Sequence, residues 1–183
     1  MRYIAFLRGI NVGGKTKVPM SELKKTLEEL GFTDVKTLLN SGNVVFSSDE
    51  NSHLLSEKIE QKLEKTFGFF IRVMVRTQKE IQELIDSDPF KHVTITPETR
   101  LYITFLSDEA KGSLEIPYES PEKDFGILRV TKGEIISYLQ LSAKRGTVDL
   151  MNFIGKEFTS SKADAGKNVT TRNWNTVLKL SNL

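Results

Sequence analysis

YIAFLRGINVGGKTKVPMSELKKTLEELGFTDVKTLLNSGNVVF, residues 3–46, holds the order of elements from which the fold is read. Tyr3–Leu7 is a short apolar run without alternation, the pattern of a strand covered on both faces. A glycine-rich loop follows, and Pro19 pre-sets the first turn of a helix in which Met20, Leu23, Leu27 and Leu30 recur at helical spacing. Gly31 stops that helix. Two further strands, around residues 35–39 and 44–46, flank Asn40-Ser41-Gly42-Asn43, a hairpin signal because Gly and Asn tolerate positive φ.

Working outward, Leu55, Ile59 and Leu63 make one stripe of a second helix, for which Asp49 or Ser52 can supply the cap, and residues 69–75 read as a fourth strand. The order β-α-β-β-α-β within residues 1–76 is the split βαβ, or ferredoxin-like, signature. Residues 77–183 form a second, degenerate unit of the same kind. Thr77 caps a helix through Ile81 and Leu84, residues 101–106 are a strand, and residues 125–130 and 134–139 pair around Thr131-Lys132-Gly133. A helix is expected at 149–158 and a last one at 171–180, capped by Thr170 or Thr171, with the unit's final strand lost or replaced. The fold class is therefore α+β, two ferredoxin-like units with a C-terminal helix.

Composition excludes several kinds of chemistry. The chain of 183 residues has no cysteine, hence no disulfide framework, thiol nucleophile or cysteine-based metal site. His53 and His92 lack acids or serines at a telling spacing, and no H-x-x-x-H pattern or acid pair stands out, so neither metal nor cofactor is expected. No run approaches the ~18 apolar residues of a membrane span, and the N-terminus reads as a strand rather than a signal peptide, which makes the cytoplasm the expected location. The net charge of +2 hides two basic ends. Residues 1–20 carry Arg2, Arg8, Lys15 and Lys17 without an acid; residues 158–183 carry four cations against Asp164.

Gly9–Thr16 matches G-x-x-x-x-G-K-T letter for letter, the pattern in which a P-loop wraps a phosphate. A P-loop kinase or NTPase is thus one reading, but Pro19 would fall inside the helix that such a loop opens, where it lacks an N–H. Near the other end, TTRNWNT (residues 170–176) sets Arg172 in the first turn of the expected helix, where the dipole favours an anion over a cation. Neither strand 44–46 nor the pI of about 8.7 matches an RNA-recognition sheet.

RGINVGGK (8–15) with Val18-Pro19-Met20, NSGNVVF (40–46) and TTRNWNTVLKL (170–180) together resemble the bacterial family called domain of unknown function 1697. The resemblance implies a cytosolic α+β protein built on ferredoxin-like units, without an established activity. It also implies that other residues are accepted in place of Thr16, which weakens the magnesium role a P-loop would need.

In a ferredoxin-like unit the loop after the first strand and the turn after the second share one edge of the sheet. Arg8, Asn11, Gly13, Gly14 and Lys15 are therefore expected beside Asn40, Ser41 and Asn43. Arg172 and Asn173 would complete the cluster if the last helix starts there. Such a set of cations, amides and N–H groups without a carboxylate fits a phosphate or carboxylate on a small molecule, a nucleotide or a nucleic-acid backbone. It offers no general base. The alternative is a structural lock, in which the same Asn, Ser and Thr residues tie the two units together and no ligand binds.

Overall fold

The computed structural model describes residues 1–14, 16–108, 110, 112, 114–142, 149–158 and 167–183, and it divides into two compact units. Met1–Asp86 and Leu178–Leu183 make the first, Ser87–Val177 the second.

The first unit runs β1 (Arg2–Leu7), α1 (Met20–Glu28), β2 (Thr33–Leu38), β3 (Asn43–Ser47), α2 (Ser52–Phe67), β4 (Val73–Thr77) and α3 (Gln78–Asp86). Its sheet has the order β2-β3-β1-β4 with every pair antiparallel, the ferredoxin-like arrangement expected from the sequence. Period-two alternation sends Tyr3, Ala5 and Leu7 of β1 into one core with Leu23 and Leu27 of α1 and Leu55, Ile59 and Leu63 of α2. Phe46 stacks on Phe32 (4.6 Å between centroids) and on Tyr3 (5.7 Å) within it. The alternate residues Ile4, Phe6, Val45 and Met74 are 0–2% exposed as well, so β1 is covered on both faces, as its unbroken apolar run indicates.

Local chemistry sets the helix ends. Thr77 and Glu80 form a reciprocal capping box at α3: the Thr77 N–H donates to Glu80 Oε2 (2.7 Å), and the Glu80 N–H donates to Thr77 Oγ1 (3.1 Å). At α2 the cap position is Asn51, in place of the expected Asp49 or Ser52, and its side chain makes no capping bond. β4 begins at Val73, later than expected, where the buried Glu60 carboxylate accepts the Val73 N–H (2.8 Å).

The second unit contains β5 (Thr99–Leu106), β6 (Tyr118–Glu119), β7 (Phe125–Val130), β8 (Glu134–Gln140), α4 (Leu150–Glu157) and β9 (Val169–Asn173). α5 (Trp174–Ser181) begins in this unit and ends in the first. The sheet order is β6-β7-β8-β5-β9, again antiparallel throughout. Without the two-residue β6, this repeats the order of the first unit. Leu150, Ile154 and Phe158 pack α4 and its end onto Phe125, Ile127 and Leu139, and the Asp149 side chain accepts the Asn152 N–H as the cap.

One expectation is overturned here. The last strand is present: Thr170, Thr171 and Arg172 pair with Phe105, Thr104 and Ile103 of β5. What makes the unit degenerate is the segment between β5 and β7, where the described residues form no helix. β-branched threonines fit a pleated strand, and the Thr171 hydroxyl bonds that of Thr104 across the ladder (2.8 Å) instead of capping a helix. The cap belongs to Asn173, whose Oδ1 accepts the Asn175 N–H (2.9 Å). Trp174 is half-buried, edge-on to Phe90.

Candidate functional site

Main-chain bonds fix where the loop after β1 leaves the sheet. The Leu7 N–H donates to Gly42 O (2.8 Å) on one flank, and the Arg8 N–H donates to Arg72 O (2.9 Å) on the other. Residues 8–18 therefore start between the 39–42 turn and the residues entering β4. Ile10 and Val18, 2% and 1% exposed, anchor the loop to the core. The chain turns through positive φ at Gly9, just before Ile10, and at Asn11, Gly13 and Gly14 after it.

Asn11 closes this loop and ties it to the turn. Its Nδ2 donates to Val18 O (2.9 Å) and Asn40 O (2.8 Å), while its Oδ1 accepts the Val18 N–H (2.9 Å). The Asn11 N–H reaches Thr16 O (2.8 Å), and the Thr16 hydroxyl donates to Gly9 O (2.7 Å). Asn43, fully buried, donates through Nδ2 to Leu38 O (2.9 Å) and Ser41 Oγ (3.0 Å). The turn sits so close to the loop that a Cβ on Gly42 would lie 2.7 Å from Leu7 Cβ and 2.8 Å from Ile10 Cδ1.

Thr16 is thus engaged within the loop, and α1 opens at Met20, after the Gly-Lys-Thr triplet. A P-loop needs its helix to begin at that triplet, and it feeds a parallel sheet, whereas this sheet is antiparallel. The P-loop kinase or NTPase reading fails on both counts.

An open groove of about 390 Å³ lies where the loop and turn meet, lined by Asn11, Gly14, Lys17, Pro19, Met20 and Asn40. α1 starts on this groove. Its cap position, Pro19, makes no side-chain capping bond, so the first-turn N–H groups lack an acceptor at the cap, while the exposed Glu22 of that turn offsets part of the positive end of the helix dipole. No carboxylate lines the groove. On the β4 flank, Arg8 is half-buried, and loss of solvation pushes its pKa down from the ordinary guanidinium value. Among the described residues its guanidinium makes no hydrogen bond or ion pair. Arg72 is held 3.6 Å from Glu60 and lies over the Phe70 ring.

Arg8, Asn11, Gly13 and Gly14 are gathered with Asn40, Ser41 and Asn43 in the first unit, whereas Lys15 lies outside the described residues. Arg172 and Asn173 end β9 of the second unit, so Arg172 is a strand residue and not in the first turn of a helix, while Asn173 caps α5. Arg172 is 8% exposed; it donates to Thr170 Oγ1 (2.8 Å) and Thr171 O (2.9 Å), and burial pushes its pKa down to about 10, leaving it protonated at neutral pH. Sequence reading passed over Lys17. Its signal was a cation two residues before a helix-initiating proline. Phe70 was passed over too, because it falls inside the run 69–75 that reads as a strand.

Among the described residues, no three His, Asp or Glu side chains are placed to share a metal ion, and no helix is long and apolar enough to cross a membrane.

Comparison with solved structures finds a conserved bacterial protein from Streptococcus pneumoniae, 22% identical, with a TM-score of 0.71 over 99% of this chain and 97% of that one. That likeness concerns the fold. No functionally curated protein matches the chain. The model of a family described as "protein of unknown function (DUF1697)" matches residues 1–135, the whole first unit up to its last six residues and the second as far as β8. The chain belongs to that family, DUF1697.

Proposed function

We propose that the first unit is a cytoplasmic binding module for a phosphate- or carboxylate-bearing ligand, seated in the groove between the 8–18 loop and the 39–42 turn. The observation that carries this reading is the groove itself: Lys17 and the uncapped start of α1 line it, and no carboxylate is among its lining residues. An anion there would pair with the ammonium and accept from the free N–H groups, both charge-assisted bonds. Arg8 and the acid-free sequence of the loop add positive potential at the same end of the sheet. No residue of the groove can act as a general base, which favours binding over catalysis.

A ligand that binds only the folded state at 100 times its Kd adds about 2.7 kcal/mol. At about 2–4 °C per kcal/mol for a chain of this size, phosphate or a phosphorylated ligand should raise the melting temperature by roughly 5–10 °C. Lys17→Ala should remove most of that rise while leaving the ligand-free melting temperature unchanged.

A structural role within the first unit also has support. Asn11 closes the loop and ties it to the turn, and Asn43 bonds within its own hairpin, so these two motif residues act as braces of the first unit. The two readings are compatible: braces build the groove, while Lys17 and the helix start face it.

A further inference from the structure

We infer that the loop end of the first sheet takes a single-stranded nucleic acid, with Phe70 as the surface on which a base stacks; this rests on the anion-binding reading above and names its ligand class. Three segments reach this end: RGINVGGKTKV (8–18), LNSG (39–42) and GFFIR (68–72). Their described residues include Arg8, Lys17 and Arg72 and no Asp or Glu, and Glu60 of α2 pairs with Arg72. Acids stand instead at the opposite end, where Asp49 and Glu50 follow β3. Arg8 and Lys17 give a polyanion a complement at the loop end.

The same end exposes apolar side chains. Val12 is 70% exposed, Leu39 55% and Phe70 53%. Phe70 is the informative one. Phe67 and Phe69 pack onto the core and Ile71 is 2% exposed, yet the ring between them is left outside. The Arg72 guanidinium lies 5.2 Å from its centroid and is itself held by Glu60, which the Val73 N–H orients. A ring backed by a fixed guanidinium and open elsewhere is a stacking platform, and neighbouring cations can follow the phosphates. The sheet face that RNA-recognition units use is closed here, since Ile4, Phe6, Val45 and Met74 are buried.

The test uses the full chain and a fluorescein-labelled ten-nucleotide oligothymidylate, read by anisotropy, beside the melting shift with inorganic phosphate. Stacking of one base at about 1–3 kcal/mol predicts that Phe70→Ala weakens oligonucleotide binding roughly 5- to 150-fold and that Phe70→Trp restores it. The phosphate-induced melting shift should be unchanged in both variants. Lys17→Ala should reduce the slope of log K against log salt by about 0.7. Equal affinity of Phe70→Ala and the wild type would overturn the inference. So would a phosphate shift without oligonucleotide binding, which leaves the anion reading standing; absence of both would end the two together. Binding to phosphatidylserine vesicles in place of the oligonucleotide, lost in Val12→Ser, would assign the surface to membranes and also overturn it.

Discussion

Replacing Gly42 by alanine tests whether the turn and the loop are as tightly joined as their hydrogen bonds indicate. Two costs add at this position. With φ at +74°, an alanine adopts a left-handed conformation, at about 1–2 kcal/mol. Its Cβ would also meet Leu7 Cβ at 2.7 Å and Ile10 Cδ1 at 2.8 Å, and both neighbours are fully or almost fully buried. Leu7 Cβ is fixed by the β1 main chain and cannot swing away, so overpacking contributes about 1–3 kcal/mol more. Gly68 supplies the control. It ends α2 at φ +79°, where an added Cβ would meet nothing within 4 Å, so Gly68→Ala should show the conformational cost alone. Urea unfolding followed by far-ultraviolet circular dichroism should therefore place Gly42→Ala at about 2–5 kcal/mol and Gly68→Ala at about 1–2 kcal/mol. A Gly42→Ala variant no less stable than Gly68→Ala would refute the close approach of turn to loop, and with it the way the groove is built.

Two further outcomes follow from single side chains. Asn11→Ala removes two donors and one acceptor and leaves a non-glycine residue at φ +56°, so it should cost about 1–3 kcal/mol in the same unfolding measurement and broaden the amide resonances of residues 9–18. The Lys62 ammonium, 2.8 Å from Glu29, holds the Glu29 carboxyl below its ordinary value of 4.5. A depressed carboxyl contributes stability above its unfolded pKa and loses it as the pH falls through the folded one. Lys62→Ala should therefore raise the Glu29 midpoint in a carboxylate-detected NMR titration and shrink the stability difference between pH 6 and pH 3.

The first unit was legible because its signals are local and mutually consistent. Pro19 and Gly31 bracket a helical stripe, and Asn-Ser-Gly-Asn marks a hairpin whose strands are apolar. The register that sets Leu7 beside Gly42 and Arg8 beside Arg72 follows once that topology is known. The second unit misled at its end. Val-Thr-Thr-Arg-Asn runs into Trp174 without an intervening loop, and a threonine pair before a helix has the same composition whether it caps the helix or finishes a strand. Only its long-range pairing with β5 decides between the two. At the loop end, residue types pointed to groups that the fold brings together but not to the bonds they make there. Asn11 and Asn43 look like ligand donors in sequence, yet carbonyls and a hydroxyl from residues close in space use up their amides. Exposure of Phe70 depends on which way the chain turns on entering β4, which no spacing rule records.

The groove at the start of α1 is the centre of this account, and a 15N NMR titration of the ligand-free protein with inorganic phosphate addresses it directly. The amides of Gly13, Gly14, Met20 and Ser21 should move together along one saturable curve, and Lys17→Ala should flatten that curve. Saturable shifts confined to other residues, or no shift at these four while the fold stays intact, would contradict it.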